Sequence, residues 1–125
     1  MVANIKDKAV IVGVGNTKFS KDSGVSELSL AVQAIKTALD DAGLQPSDVD
    51  GMATFTMDSN DEIEVARALG CGGLNFWGRS HYGGGAATGT LHQATMAIAT
   101  GMAEVVVCFR ALNGRSGHRF SSGVS

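Results

Sequence analysis

The chain has 125 residues, 44% of them hydrophobic and 18% charged, which suits one domain with a moderate buried core and excludes a disordered chain. Ten basic against twelve acidic side chains leave a formal net charge of -2, so no broad field favours nucleic acid, although the stretch from Arg110 to Arg119 is locally basic. No apolar run approaches the ~20 residues that cross a bilayer, and the opening Met1-Val-Ala-Asn-Ile-Lys-Asp-Lys8 carries no apolar signal region, so no membrane association is expected and the cytoplasm is the expected location.

Ala9-Val-Ile-Val-Gly-Val14 is short, β-branched and bounded by Lys8 and Gly15, which predicts a central parallel strand buried on both faces. Ser26 is placed to cap a helix whose Leu28, Ala31, Val32, Ile35, Leu39 and Ala42 recur at helical spacing; Gly43 ends it and Pro46 prevents its resumption. Gly51-Met-Ala-Thr-Phe-Thr56 reads as the second strand. Asp58 to Asp61 then supply turn and capping residues for a helix over 62–69. Leu74-Asn-Phe-Trp-Gly78 is the third strand. A helix marked by Leu91, Ala94, Thr95, Ile98 and Met102 runs through Gly101 into a last strand, Ala103-Glu-Val-Val-Val-Cys-Phe109.

The order β-α-β-α-β-α-β predicts an α/β fold of three layers, with a mainly parallel sheet, right-handed crossovers and helices on both faces. Residues 1–112 form the expected domain. Residues 113–125 show no hydrophobic periodicity and read as the start of a truncated loop region.

The most informative stretch is Arg79-Ser-His-Tyr-Gly-Gly-Gly-Ala-Ala-Thr-Gly-Thr-Leu91, at a strand-to-helix junction. Gly83, Gly84 and Gly85 leave backbone N–H groups uncovered where the helix dipole is positive, which suits an anion, a thioester oxygen or an enolate. None of the three can attack a substrate. The adjacent groups with proton-transfer chemistry are His81 and Tyr82, which make the catalytic candidates, with a polar loop anchor and a packed aromatic as the alternative. The junction therefore favours binding or polarising an acyl group over being acylated.

Other motifs carry less. Val12-Gly-Val-Gly-Asn-Thr-Lys18 has two glycines after a strand but lacks the third glycine of a dinucleotide loop, and its helix begins about ten residues later, away from where a pyrophosphate would lie. Cys71 and Cys108 are too few for a disulfide framework and match no metal spacing, and Cys108 reads as a small buried thiol. Asp58, Asp61, Glu62 and Glu64 are helix-start charges rather than a metal cluster, and His92 is a surface or interface residue. No metal site is expected. Arg110, Arg115, Ser116, His118 and Arg119, interleaved with glycine, suit a clamp on a nucleotide phosphate such as that of coenzyme A.

With Ala9-Val-Ile-Val-Gly-Val-Gly-Asn-Thr-Lys-Phe19, Ser47-Asp-Val-Asp-Gly51 and Ala97-Ile-Ala-Thr-Gly-Met-Ala-Glu-Val-Val-Val107, nearly the whole chain resembles the N-terminal half of a thiolase-fold protein of the lipid-transfer or sterol-carrier type. In thiolases of this kind the nucleophilic cysteine begins the buried helix, seven residues before a leucine; matching that leucine to Leu91 puts Gly84 at the cysteine position. Without a thiolate there, no acyl-enzyme forms by the family's usual route.

The His81-Tyr-Gly-Gly-Gly85 pattern and the tail from Arg110 to Phe120 instead resemble the thiolase-like aldolases that cleave β-hydroxyacyl-CoA steroid side chains. The resemblance implies a retro-aldol lyase acting on a coenzyme A thioester as substrate, with no covalently bound cofactor. Further acid/base tyrosines are expected from a C-terminal half, so this half is expected to be inactive alone. The partners implied are a second copy pairing near Leu74 to Ser80 in a homodimer, and an OB-fold acyl-CoA-binding protein. The alternatives are an acetyl-CoA acetyltransferase and a non-catalytic lipid or acyl-CoA binding module.

Overall fold

The Ser26 hydroxyl accepts the Ser29 N–H at 3.1 Å and so starts helix α1, Glu27–Ala42. The helix ends where Gly43 turns to φ 72° and the Leu44 N–H donates back to the Leu39 carbonyl at 2.9 Å. Pro46 opens a single 3-10 turn, Pro46–Asp48, and Asp48 accepts the Gln45 N–H at 2.8 Å before the chain enters the sheet. The computed structural model describes residues 4–20, 22–55, 60–81 and 85–112.

Three parallel strands follow: β1 Gly51–Phe55, β2 Phe76–Ser80 and β3 Val106–Cys108, in the order β2-β1-β3. Every residue of β1 is buried because both faces of the sheet are covered. On one face Met52 packs into a cluster with Ala31, Ile35 and Leu39 of α1 and with Val65 and Leu69 of helix α2, Glu62–Leu69. Helix α3, Ala86–Ala99, lies on the other face with Ala94 and Ala97 buried beneath it. The parallel α/β architecture with helices on both faces is therefore present.

Element boundaries shift where side-chain pattern and backbone pairing diverge. The third strand lies two residues later than Leu74 to Gly78, because the N–H groups of Asn75 and Phe76 both donate to the Asp50 carbonyl and set the register at Gly51↔Phe76. Helix α3 begins at Ala86, five residues ahead of the first apolar marker Leu91, since small residues there are compatible with helix but carry no periodic signal.

The expected strand over residues 9–14 forms no ladder among the described residues; its end lies against α1 instead. Its Val14 N–H donates to the Asp41 carboxylate at 3.0 Å. A Cβ on Gly13 would collide with the Ala38 carbonyl oxygen, and one on Gly15 would lie 2.5 Å from the Ala34 carbonyl oxygen, so both glycines allow backbone to rest on helix backbone. The side chains of Val10, Ile11, Val12 and Val14 are consequently 59 to 77% exposed. β-Branched composition selects an extended conformation; it does not choose the neighbour.

Candidate functional site

The parallel strands bring their carboxyl ends to one edge, and α3 starts there. Gly85 is its N-cap, exposed, with φ -75° and ψ -16° and no side chain to accept a first-turn N–H. The Gly85 carbonyl receives the Gly89 N–H at 3.2 Å and the Thr88 hydroxyl at 2.8 Å. The N–H groups of Ala86, Ala87 and Thr88 have no acceptor within the helix by its geometry, and the dipole adds partial positive charge at that end. Such a terminus can hold a carboxylate, a phosphate or an enolate oxygen.

His81 follows β2 directly and is exposed beside this edge. Tyr82, Gly83 and Gly84 lie outside the described residues, as do Arg115, Ser116, His118 and Arg119. Of the expected acyl site, the structure therefore places His81 and Gly85.

Register assembles a second set of side chains that no local motif reveals. Phe55 is level with Ser80. On the other side Cys108 is level with Ala53, and the Phe109 N–H continues the ladder to the Ala53 carbonyl at 3.3 Å, which carries Arg110 to the level of Phe55. The Arg110 guanidinium carbon lies 4.7 Å from the centre of the Phe55 ring. Ser80, Phe55 and Arg110 thus form one row across three strand ends, on the face that α3 covers. Ser80 is 6% exposed, its hydroxyl has no partner among the described residues, and a Cβ on Gly89 of α3 would stand 3.0 Å from that oxygen.

Arg79 points to the opposite face. It pairs with Asp61, its Nε donates to Glu62 Oε2 at 3.0 Å, and these two hydrogen bonds, Asp61 first, raise its pKa further above the usual arginine value. Its backbone carbonyl accepts Gln93 Nε2 at 3.0 Å, tying the end of β2 to α3. Arg79 therefore anchors the junction between α2 and α3. Asp61 and Glu62, expected as helix-start charges, sit at the start of α2 and hold this arginine. Thr54 on the same face is 1% exposed with an unpartnered hydroxyl, and the Asn60 side-chain amide is likewise buried without a partner among the described residues.

Neither thiol is at the helix start. Cys108 is half-buried on β3 and donates to the Thr90 carbonyl at 3.5 Å; burial pushes its pKa up, and does the same for Cys71 beyond α2. Among the described residues no group of three histidine, cysteine or acidic side chains gathers as a metal site. No helix there is long and apolar enough to cross a membrane. His92 is exposed on α3.

No family model matches the sequence. Over 115 residues the chain is 61% identical to the steroid side-chain-cleaving aldolase of Thermomonospora curvata, covering 92% of this chain and 29% of that protein. It is 60% identical over 116 residues to the 17-hydroxy-3-oxo-4-pregnene-20-carboxyl-CoA lyase of Mycobacterium tuberculosis, covering 93% of this chain and 30% of that protein. The chain thus spans less than a third of the curated relatives it matches. Among solved structures it superposes on an Ltp2-ChsH2(DUF35) aldolase with a TM-score of 0.83 at 62% identity, over 86% of this chain and 28% of that one. A monomeric SCP2-thiolase like protein type 1 from Mycobacterium smegmatis gives 0.65 at 29% identity, over 78% of this chain and 22% of that one. A priming β-ketosynthase of the R1128 polyketide pathway, at 0.55 and 23% identity over 70% of this chain and 28% of that one, shares the fold. The fold is thiolase-like.

Proposed function

We propose that the chain is the N-terminal part of an acyl-CoA carbon–carbon lyase that cleaves the side chain of a β-hydroxyacyl-CoA steroid or lipid by a retro-aldol step. The observation that carries this reading is a thiolase-like fold whose central helix α3 opens on glycine, with both cysteines of the chain elsewhere. The names of relatives about 60% identical over nearly all of the chain support it.

A retro-aldol step needs a base for the hydroxyl proton and a donor set for the enolate oxygen, and no nucleophile. In this reading His81 and Tyr82 serve proton transfer, Gly83 to Gly85 bind the acyl oxygen, and Arg115, Ser116 and Arg119 hold the coenzyme A portion of the substrate. The remaining acid/base groups come from a second half, which also covers the exposed Leu91 and Met96 of α3. A homodimer forms along β2, which pairs only with β1 among the described residues and carries Trp77 60% exposed. A DUF35-type protein with an OB-fold is the second partner, by analogy with the aldolase complex on which the chain superposes. The site of action is the cytoplasm.

The test is to incubate the full-length protein, with and without such a partner, with a β-hydroxyacyl-CoA steroid and to look for the ketone and the shortened acyl-CoA. Gly84→Val is expected to abolish turnover with the fold kept. A trapped covalent acyl-enzyme would replace this reading with an acetyltransferase, and acyl-CoA binding without either product would leave a binding module.

A further inference from the structure

Arg79 is held from both faces of the sheet. Its guanidinium pairs with Asp61 and Glu62 at the start of α2, and its carbonyl accepts Gln93 Nε2 of α3 at 3.0 Å. The Gln93 carboxamide oxygen is buried without a partner among the described residues, and a Cβ on Gly78 would stand 2.9 Å from it, so the missing side chain of Gly78 makes room for the carboxamide against β2. One helical turn before Gln93, Gly89 meets Ser80, where a Cβ would stand 3.0 Å from the hydroxyl oxygen.

These contacts follow one stripe of α3. Four helical residues rise about 6 Å and two strand residues advance about 6.6 Å, so Gly89 at Ser80 and Gln93 at Gly78 match, with the helix running against the strand. The next member of the stripe is Gly85, the N-cap, about 6 Å further on and past the end of β2, where His81 follows. The contacts at Gly78 and Arg79 thus set where the N–H groups that open α3 stand relative to the chain leaving β2.

We propose that Gly78, Arg79 and Gln93 are positioning residues for the acyl site: together they hold the anion-binding start of α3 in a fixed place beside His81, and they touch no substrate themselves. The proposal rests on the lyase reading and adds to it the residues that aim its site.

Two features carry it. A glutamine that served stability alone would satisfy both ends of its carboxamide, whereas here the donor end is spent on one backbone carbonyl and the acceptor end is left buried and unpaired among the described residues, an arrangement that costs stability and fixes geometry. The contact is also tight: glycines at 78 and 89 bring α3 onto β2 with no side chain between, so a displaced carboxamide is passed on to the helix start. Donors to an enolate oxygen must be placed within a fraction of an ångström, and a misplacement of about 1 Å costs up to about 100-fold in rate.

The full-length protein is to be compared with Gln93→Met, Gly78→Ala and the double variant for turnover of a β-hydroxyacyl-CoA, for melting temperature, and for calorimetric affinity toward two thioethers of coenzyme A. The S-carboxymethyl thioether carries a carboxylate in place of the enolate, and the S-ethyl thioether is neutral. Each single variant is expected to lower kcat about tenfold and the preference for carboxymethyl over ethyl about tenfold, with KM and S-ethyl affinity within about twofold of wild type. A Cβ at Gly78 meets the ends of the Gln93 and Phe76 side chains first, so Gly78→Ala should keep a melting temperature near wild type. The double variant should be no worse than Gln93→Met, since both changes act through one carboxamide. Arg79→Met should follow the same pattern, with partial recovery in Arg79→Lys. Unchanged kcat and preference, a lowered melting temperature with neither changed, or effects that add in the double variant would overturn the assignment. A wild type without turnover sinks the lyase reading alone; the thioethers then decide the positioning role, and no preference in wild type, or an equal preference in Gln93→Met, rejects it.

Discussion

Asp50 and Val105 are locked to each other in both directions: the Val105 N–H donates to the Asp50 carboxylate at 2.9 Å, and the Asp50 N–H donates to the Val105 carbonyl at 3.1 Å. The same carboxylate accepts the Glu104 N–H at 3.0 Å, and the Asp50 carbonyl accepts the Asn75 N–H at 2.7 Å. One residue thus aligns the beginnings of all three strands and, through the register, the residues at their far ends. Asp50→Ala leaves two backbone donors without their charged acceptor and is expected to cost about 2 to 3 kcal/mol, read from urea unfolding. A loss under about 0.5 kcal/mol would show that water replaces the carboxylate freely.

Gly13 and Gly15 rest on the backbone of α1 with no room for a side chain. Alanine at either is expected to push residues 9–14 off the helix, at about 1 to 3 kcal/mol of overpacking. Amide exchange reads this directly. The Val14 N–H should lose the protection supplied by Asp41, whereas α1 amides facing Met52 should keep theirs.

The Thr54 hydroxyl is buried on the face of β1 that packs on α1 and α2, without a partner among the described residues. Valine has nearly the same shape and no group left unsatisfied, so Thr54→Val should be neutral or stabilising by up to about 1 kcal/mol. Chemical denaturation checks it, and a clear loss of stability would reveal a hydrogen bond to that oxygen.

Burial raises the pKa of Cys108 above its ordinary 9.0, and burial raises Cys71 in the same sense. The native thiols keep their protons at a pH where the unfolded thiols have lost them. Their contribution to stability is therefore full below the unfolded pKa and is lost as pH rises through the folded one. Melting temperature should fall across that alkaline window in wild type, and less in Cys108→Ser. Iodoacetamide should label Cys108 more slowly at pH 8 in the native than in the denatured protein.

Much of this is legible in the residues themselves. Ser26, the spacing from Leu28 to Ala42, and Gly43 each set a local preference that agrees with the others, so α1 forms where expected. The glycine at the start of α3 is legible too: a residue without a side chain leaves first-turn N–H groups uncovered, whatever the rest of the fold does. Residues 9–14 carry the composition of a central strand and pair with no strand among the described residues, because apolar content does not say which neighbour a segment meets. Ser80 carries no signal in the sequence: a serine between an arginine and a histidine is ordinary until β1 and α3 close over it.

By itself the sequence determined the class of fold, the ends of α1 and α2 and the absence of a cysteine where α3 begins, since these depend on neighbours a few residues apart. Only the tertiary structure decided that Arg79 faces α2, that residues 9–14 lie on α1, and that Ser80, Phe55 and Arg110 share a row. The packing of residues 9–14 depends on Gly13 and Gly15 meeting the backbone of α1; the other two depend on strand register, set by Asp50 and Val105 across a long stretch of chain, where a one-residue slip would send each side chain to the other face of the sheet.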